Sequence, residues 1–428
     1  MKMKALILAA VLASVLSCGK DDRNKVVPTP AVQAEKLLEL PASARANYQI
    51  YQVNPKLYGN SGQLKAVQAR LDDIKALGTD ILYLMPIYPE GQKNGIGSPY
   101  CIKDYTGVRD ACGTLADVKA LVKAAHDKGM KVMFDWVANH TAWDHPWITA
   151  HSDWYQKDGS GNIVYPTRDG EWKDVAQLDF SSTGLHDAMI AAMKYWITEA
   201  DIDGYRCDYA HGVPDAFWKK AIPQLKAAKT GFIMLAESDY ERMFDDGFDI
   251  IYDRGLKRAA KSFVSGGKAA DFAKSYKSTL DKTPAGKTKC YFVTNHDDAS
   301  ENSPVSEFGS KEGACAAYAL LAALNGSPMF YGSQEAGYTG KINFFNVVTM
   351  NWNADQELFN RYKNVLGALQ TVSRDSACTL YAFDRVIFVC YEGSVTVGIN
   401  MGSTGVKATL PDGKTQYEFG ANEIKIWK

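Results

Sequence analysis

No excess of charge of either sign runs through this sequence: 48 Lys and Arg face 49 Asp and Glu across 428 residues, a formal net charge of −1. A chain so balanced has no overall field to draw it to nucleic acid or to anionic lipid, which excludes a nucleic-acid partner at this level. No Cys-x-x-Cys and no Cys/His cluster with zinc spacing occurs, which argues against a transition-metal site. Internal repeats are absent. The apolar run from Ala5 to Leu16 is too short to span a bilayer. What is left, at 46% hydrophobic and 23% charged, can bury one large core with smaller accessories, and a monomer is expected.

The N-terminus opens with a short basic region, Met1-Lys2-Met3-Lys4, ahead of that apolar run, so residues 1–17 read as a secretory signal. It ends at Leu16-Ser17-Cys18-Gly19, which resembles a bacterial lipobox in which cleavage leaves Cys18 to carry lipid. Residues 18–43 are polar and then Pro/Ala-rich, the composition of a flexible tether, and Lys20-Asp21-Asp22 resembles the surface-export signals of Bacteroidetes lipoproteins. The expectation is an exported outer-membrane lipoprotein, facing the periplasm or the cell surface. Beyond Cys18 the seven remaining cysteines are an odd number, so at least one is unpaired. Cys101 with Cys112 and Cys378 with Cys390 are the local pairs, and buried free thiols fit equally well.

From about Tyr48, short apolar runs alternate with helical patterns, the signature of βα units and a parallel sheet. The runs are 48–53, 81–85, 131–136, 204–208, 232–237, 248–252, 291–295 and 329–331. Eight continuous runs suit a closed (β/α)8 TIM barrel of α/β class, expected over 44–372; an open doubly wound sheet is the alternative. Leu64, Val67, Leu71, Ile74 and Leu77 lie at helical spacing before Gly78, so Gly62 to Leu77 reads as one covering helix. The stretch 141–181, rich in Trp, Asp, Gly, Pro and His and without periodicity, reads as an inserted domain B after strand 3. Residues 373–428 then turn to alternating strands, a C-terminal antiparallel β-sandwich domain.

Four segments at expected strand ends carry the chemistry, because barrel sites form where the C-terminal ends of several strands converge. In Gly204-Tyr205-Arg206-Cys207-Asp208 the two-residue period puts Arg206 and Asp208 on one face, and the guanidinium is expected to lower Asp208 and keep it an anion. Phe232-Ile233-Met234-Leu235-Ala236-Glu237 ends an apolar strand in a single carboxyl, surroundings that suit a proton donor. Asp135-Trp136-Val137-Ala138-Asn139-His140 and Val293-Thr294-Asn295-His296-Asp297-Asp298 each end an apolar run in polar residues. Taken singly, the bland readings are a structural Arg–Asp pair, a helix cap and loop-capping polar groups.

In this order and spacing the four segments resemble the conserved regions of the alpha-amylase family, glycoside hydrolase family 13, with further likeness in Tyr51-Gln52-Val53-Asn54-Pro55 and Leu84-Met85-Pro86-Ile87. The resemblance implies a retaining hydrolase of alpha-1,4-linked glucan, starch or maltooligosaccharide, with Asp208 as nucleophile, Glu237 as general acid/base and Asp297 as the third carboxylate, favouring the transition state. Arg206, His140 and His296 match residues that hold the sugar beside the cut bond, Tyr100 and Asp104 match a sugar-contacting segment, and Asp135 and Asn139 match supports of the site. It also implies calcium at Asn139. The chain departs from the pattern after the nucleophile, where Tyr209-Ala210-His211-Gly212 replaces the family's Lys-His and puts the histidine one place early. Transfer to a sugar on the same barrel, or a starch-binding surface lipoprotein without activity, are the competing readings.

The lipid anchor has a direct test. The full-length protein should partition into the detergent phase, and Cys18→Ala should move it to the aqueous phase; equal partitioning of the two would remove the anchor.

Overall fold

A computed structural model describes residues 34–42, 47–372 and 376–427. The expected signal segment, the lipidated Cys18 and the first part of the tether lie outside the described residues. Seventeen strands follow in chain order: β1 Glu35–Leu40, β2 Ile50–Val53, β3 Ile81–Leu84, β4 Lys131–Val137, β5 His140–Ala142, β6 Val175–Gln177, β7 Gly204–Asp208, β8 Ile233–Ala236, β9 Ile250–Tyr252, β10 Thr288–Tyr291, β11 Ser327–Tyr331, β12 Cys378–Phe383, β13 Val386–Tyr391, β14 Thr396–Asn400, β15 Val406–Thr409, β16 Gln416–Phe419 and β17 Ile424–Trp427.

Strands β2, β3, β4, β7, β8, β9, β10 and β11 close into a barrel with every pairing parallel, so the TIM barrel holds and the open sheet is excluded. Burial on both faces explains why the barrel strands read as continuous apolar runs. The helices cover the outside through apolar stripes. In Leu115–Asp127, for example, Val118, Leu121, Val122 and Ala125 are buried, and a Thr114/Asp117 capping box starts the helix. Gly204 opens β7 where a Cβ would meet the Ile233 carbonyl oxygen at 2.4 Å, so only glycine lets β7 and β8 pair there.

Three expectations are corrected. The single helix over 62–77 is two, Gln63–Ala69 and Leu71–Ala76, broken at Arg70, whose guanidinium turns in to Glu335 at 3.5 Å and lies 3.9 Å over the Trp352 ring. The seventh barrel strand is Thr288–Tyr291, not 291–295, because Thr288 and Lys289 are buried despite their polarity, with Lys289 paired to Glu241 at 2.9 Å. Residues 35–40, expected as tether, form β1 and pair antiparallel with β12.

The inserted segment is closed at its neck by β5 and β6, which pair antiparallel from His140↔Gln177 to Ala142↔Val175. At the C-terminus β1-β12-β13-β14-β17 form one five-stranded sheet. One of its faces, with Leu380, Ile387, Val389, Val397 and Ile399, joins the barrel core, and the other, with Val386 and Phe388, is covered by Ala408 and Phe419 of the β15–β16 pair. All seven cysteines from Cys101 to Cys390 are free thiols.

The register that aligns β4 with β7 is pinned at its lower end by Asp203, which accepts the Val132 N–H at 2.7 Å and pairs with His126 Nε2 at 2.7 Å and Lys229 Nζ at 2.9 Å. Burial alone would raise this carboxyl; the hydrogen bonds and Lys229 outweigh it and hold the group below its ordinary value. A depressed folded-state pKa gives stability that is present above the unfolded value and is lost as pH falls through the folded one. Asp203→Asn should therefore cost about 1–3 kcal/mol at pH 7. By urea denaturation the gap to wild type should shrink below about pH 4; a gap that stays constant down to pH 3 would remove this account.

Candidate active site

The C-terminal ends of the barrel strands surround a cavity of about 410 Å³, and Tyr100, His140, Asp208, Glu237, His296 and Asp297 all line it. Register brings the charged groups together: Asp135 of β4 is the Cα partner of Arg206 on β7, and Cys207 that of Ala236 on β8, which puts Glu237 beside Asp208. Alternation along β7 sends Arg206 and Asp208 inward, while the Tyr205 hydroxyl donates outward to the Met193 carbonyl at 2.7 Å.

Arg206 is fully buried and faces three carboxylates. Its NH1 meets Asp135 at 2.8 Å and Asp208 at 3.0 Å, and its NH2 meets Glu237 Oε2 at 3.0 Å. Asp135 is held from the other side by the hydroxyls of Tyr83 at 2.5 Å and Tyr100 at 3.0 Å. The Tyr100 hydroxyl also meets His296 Nε2 at 2.7 Å, and Gln52 Nε2 meets His296 Nδ1 at 2.9 Å. Burial drives His296 down to about 3 and His140 to about 4, so both imidazoles are neutral at pH 7 and serve as hydrogen-bonding groups.

The expected effect of Arg206 on Asp208 is corrected. Burial raises the Asp208 carboxyl well above its ordinary value, and Glu237 and Asp135 raise it further, against the pull of Arg206. One cation divided among three anions does not offset desolvation.

Asp104 is not brought to the cavity: it is exposed and accepts from Thr106 N at 2.8 Å and Thr106 Oγ1 at 2.9 Å, an Asx turn. Several lining residues went unseen in the sequence. Glu171, Trp172 and Asp174 come from the inserted segment, and Phe344 and Phe345 from the loop after β11. The signals for the first three were the length of the insertion and its Trp- and Asp-rich, aperiodic composition. Phe344 packs edge-on to Tyr100 and His296, and Trp172 edge-on to His140 and Tyr209, giving the cavity two aromatic walls. Tyr209 itself has a left-handed backbone, φ 43° and ψ 43°, a conformation that costs a non-glycine residue energy and here directs its N–H to Glu237 Oε2 at 2.8 Å.

At Asn139, where the resemblance implies calcium, oxygens of Asn139 and Leu178 gather around the side-chain amide of Gln177. The Gln177 amide nitrogen lies 2.9 Å from the Asn139 carbonyl oxygen, 3.3 Å from Asn139 Oδ1 and 3.1 Å from the Leu178 carbonyl oxygen, and carbonyl and amide oxygens are ligands of the kind calcium takes. The His211 carbonyl accepts from Arg242 NH2 at 3.0 Å. Among the described residues no group of three or more His, Cys, Asp or Glu could hold a metal ion. If calcium joins the inserted segment to the barrel through Asn139, a strong chelator should lower the melting temperature and added calcium should restore it; a melting temperature and activity unchanged by chelation would remove the site.

Residues 42–244 match the family model for the alpha amylase catalytic domain. Alpha-amylase MalA of Haloarcula japonica is 28% identical over 338 residues, covering 76% of this chain and 49% of that protein. The alpha-1,4-glucan:maltose-1-phosphate maltosyltransferase of Rhodospirillum rubrum is 30% identical over 258 residues, covering 54% of this chain and 37% of that protein. The chain thus spans half or less of these two curated relatives. Among solved structures, an alpha-amylase from Lactobacillus plantarum superposes with a TM-score of 0.74 at 27% identity, covering 89% of this chain and 99% of the other. Residues 42–244 are thus similar to the alpha amylase catalytic domain, and the closed barrel they enter is the fold shared with the Lactobacillus plantarum alpha-amylase.

Proposed function

We propose that the protein is a retaining glycoside hydrolase that cuts alpha-1,4 bonds in starch or maltooligosaccharides. The observation that carries the reading is a single guanidinium in contact with both Asp208 and Glu237 on the floor of an aromatic-walled cavity that Asp297 also lines. The named activities of the amylase and glucan-transferring relatives support the substrate class.

Asp208 attacks the anomeric carbon while Glu237 gives its proton to the departing glycosidic oxygen, and a covalent glycosyl-enzyme results. Glu237 then takes a proton from water, which attacks the same carbon and frees Asp208. A second inversion restores the alpha configuration. The crowding of carboxylates links the two roles: a proton on Glu237 removes one of the anions that raise Asp208, so loading the acid favours the ionised nucleophile. Asp297 adds negative charge where the oxocarbenium-like transition state develops positive charge. Neutral His140 and His296, with Tyr100, supply hydrogen bonds and a ring face to the sugar at the cut bond. A second reading, transfer of the glycosyl group to a sugar, is favoured by the maltosyltransferase relatives and proceeds through the same intermediate. We also propose that Cys18 anchors the mature chain in the outer membrane, a reading supported by residues 1–19 alone. Among the described residues no helix is long and apolar enough to cross a membrane.

Asp208→Asn should lower turnover of maltoheptaose by a factor on the order of 10³ or more. Glu237→Gln, given an alpha-maltosyl fluoride that needs little protonation, should accumulate a covalent sugar that mass spectrometry finds on the peptide containing Asp208. Label on any other carboxylate, or near-normal turnover by Asp208→Asn, would overturn the assignment. Wild-type products of higher mass than the substrate would identify transfer.

A further inference from the structure

Arg254 is absent from the four strand-end segments, yet it holds the other oxygen of Glu237. It is the first residue of the helix Arg254–Val264, directly after β9, and its NH2 lies 3.0 Å from Glu237 Oε1. A cation in the first turn of a helix opposes the helix dipole, and the acidic group at that end is the N-cap Asp253, whose carboxylate is engaged with Leu256 N. Local rules broken without a local gain mark positions held for another purpose. The side chain is aimed. Its backbone N–H donates to Asp239 Oδ1 at 3.1 Å, its NH1 lies 3.6 Å from Asp239 Oδ2, and its guanidinium carbon lies 5.1 Å from the centre of the Tyr252 ring. The helix start beneath it is fixed by Asp253, which accepts from Leu256 N at 2.8 Å and Thr279 Oγ1 at 2.5 Å.

We propose that Arg254 is a positioning residue for Glu237, fixing the plane of its carboxyl so that Oε1 faces the glycosidic oxygen; this rests on reading Glu237 as the acid/base. The two oxygens are not equivalent. Oε2 is already occupied by the Tyr209 N–H at 2.8 Å and Arg206 NH2 at 3.0 Å, both fixed by backbone or burial. Oε1 meets Arg254 NH2 at 3.0 Å. With Arg206 and Tyr209 alone, one oxygen is pinned and the carboxyl can turn about it. A second guanidinium on the other oxygen removes that freedom, which is how a proton donor is kept within hydrogen-bond reach of its target.

The test separates acid-dependent from acid-independent substrates. The ratio kcat/KM reports only steps up to formation of the glycosyl-enzyme, and fluoride departs there with little help from an acid. Arg254→Met should lower kcat/KM for maltoheptaose by about tenfold or more while changing that for alpha-maltosyl fluoride by less than about threefold, with Arg254→Lys intermediate. Arg254→Gln, close in shape, serves if the methionine variant fails to fold, and far-UV circular dichroism checks each protein. Equal losses on both substrates would make Arg254 a structural ion pair, and no loss, or a gain, on maltoheptaose would also overturn the proposal. Should Glu237→Gln itself keep its activity on maltoheptaose, the acid/base reading falls instead, so the two failures are distinguishable.

Discussion

A single buried guanidinium among three carboxylates is the constraint on which the site depends. Removing Arg206 from water costs several kcal/mol, and that cost is recovered only because Asp135, Asp208 and Glu237 converge on it from three different strands. The convergence needs β4, β7 and β8 in one register, so the closed barrel and the charge cluster require each other. Asp135 anchors the arrangement from beneath: fully buried, braced by Tyr83 and Tyr100, it holds Arg206 without meeting the cavity. Hydrogen bonds of this kind reinforce one another in a low-dielectric interior, and losing one member leaves the others buried without a partner.

The walls have a different origin from the floor. Strand ends supply the floor, and the rigid barrel fixes them. Trp172 and Phe344 come from an insertion and a loop far apart in the chain, whose own positions depend on the neck between β5 and β6 and on packing against Tyr100 and His296. A shared barrel can therefore carry different clefts.

Most of the barrel was legible because parallel strands buried on both faces are apolar throughout, in short runs alternating with amphipathic helical patterns. That pattern failed at β10, where Thr288 and Lys289 are buried through specific partners, and at β1, where Leu37 and Leu38 are adjacent and a register shift between Lys36 and Leu38 breaks the alternation, within a Pro/Ala-rich stretch. Within the site, Arg206 and Asp208 were readable from period-two geometry and Glu237 as the single carboxyl ending an apolar strand. Arg254 was not, because its significance is the approach of the next strand's loop to Glu237, which one segment cannot encode. At Asp208 the expectation followed Arg206, two residues away in sequence, whereas the burial that raises the carboxyl, and Glu237 and Asp135, which raise it further, arise only through the fold.

The strand β1 sets a practical boundary on the molecule. It lies at the edge of the five-stranded sheet and satisfies the outer backbone groups of β12 from Leu40↔Cys378 to Glu35↔Ala382. A recombinant version begun at the first barrel strand would uncover that edge, offering a row of free amides and carbonyls to any neighbouring chain. Edge-to-edge association at high concentration, with the catalytic barrel intact, is the form of failure such a truncation invites, and starting ahead of Ala34 keeps the edge covered.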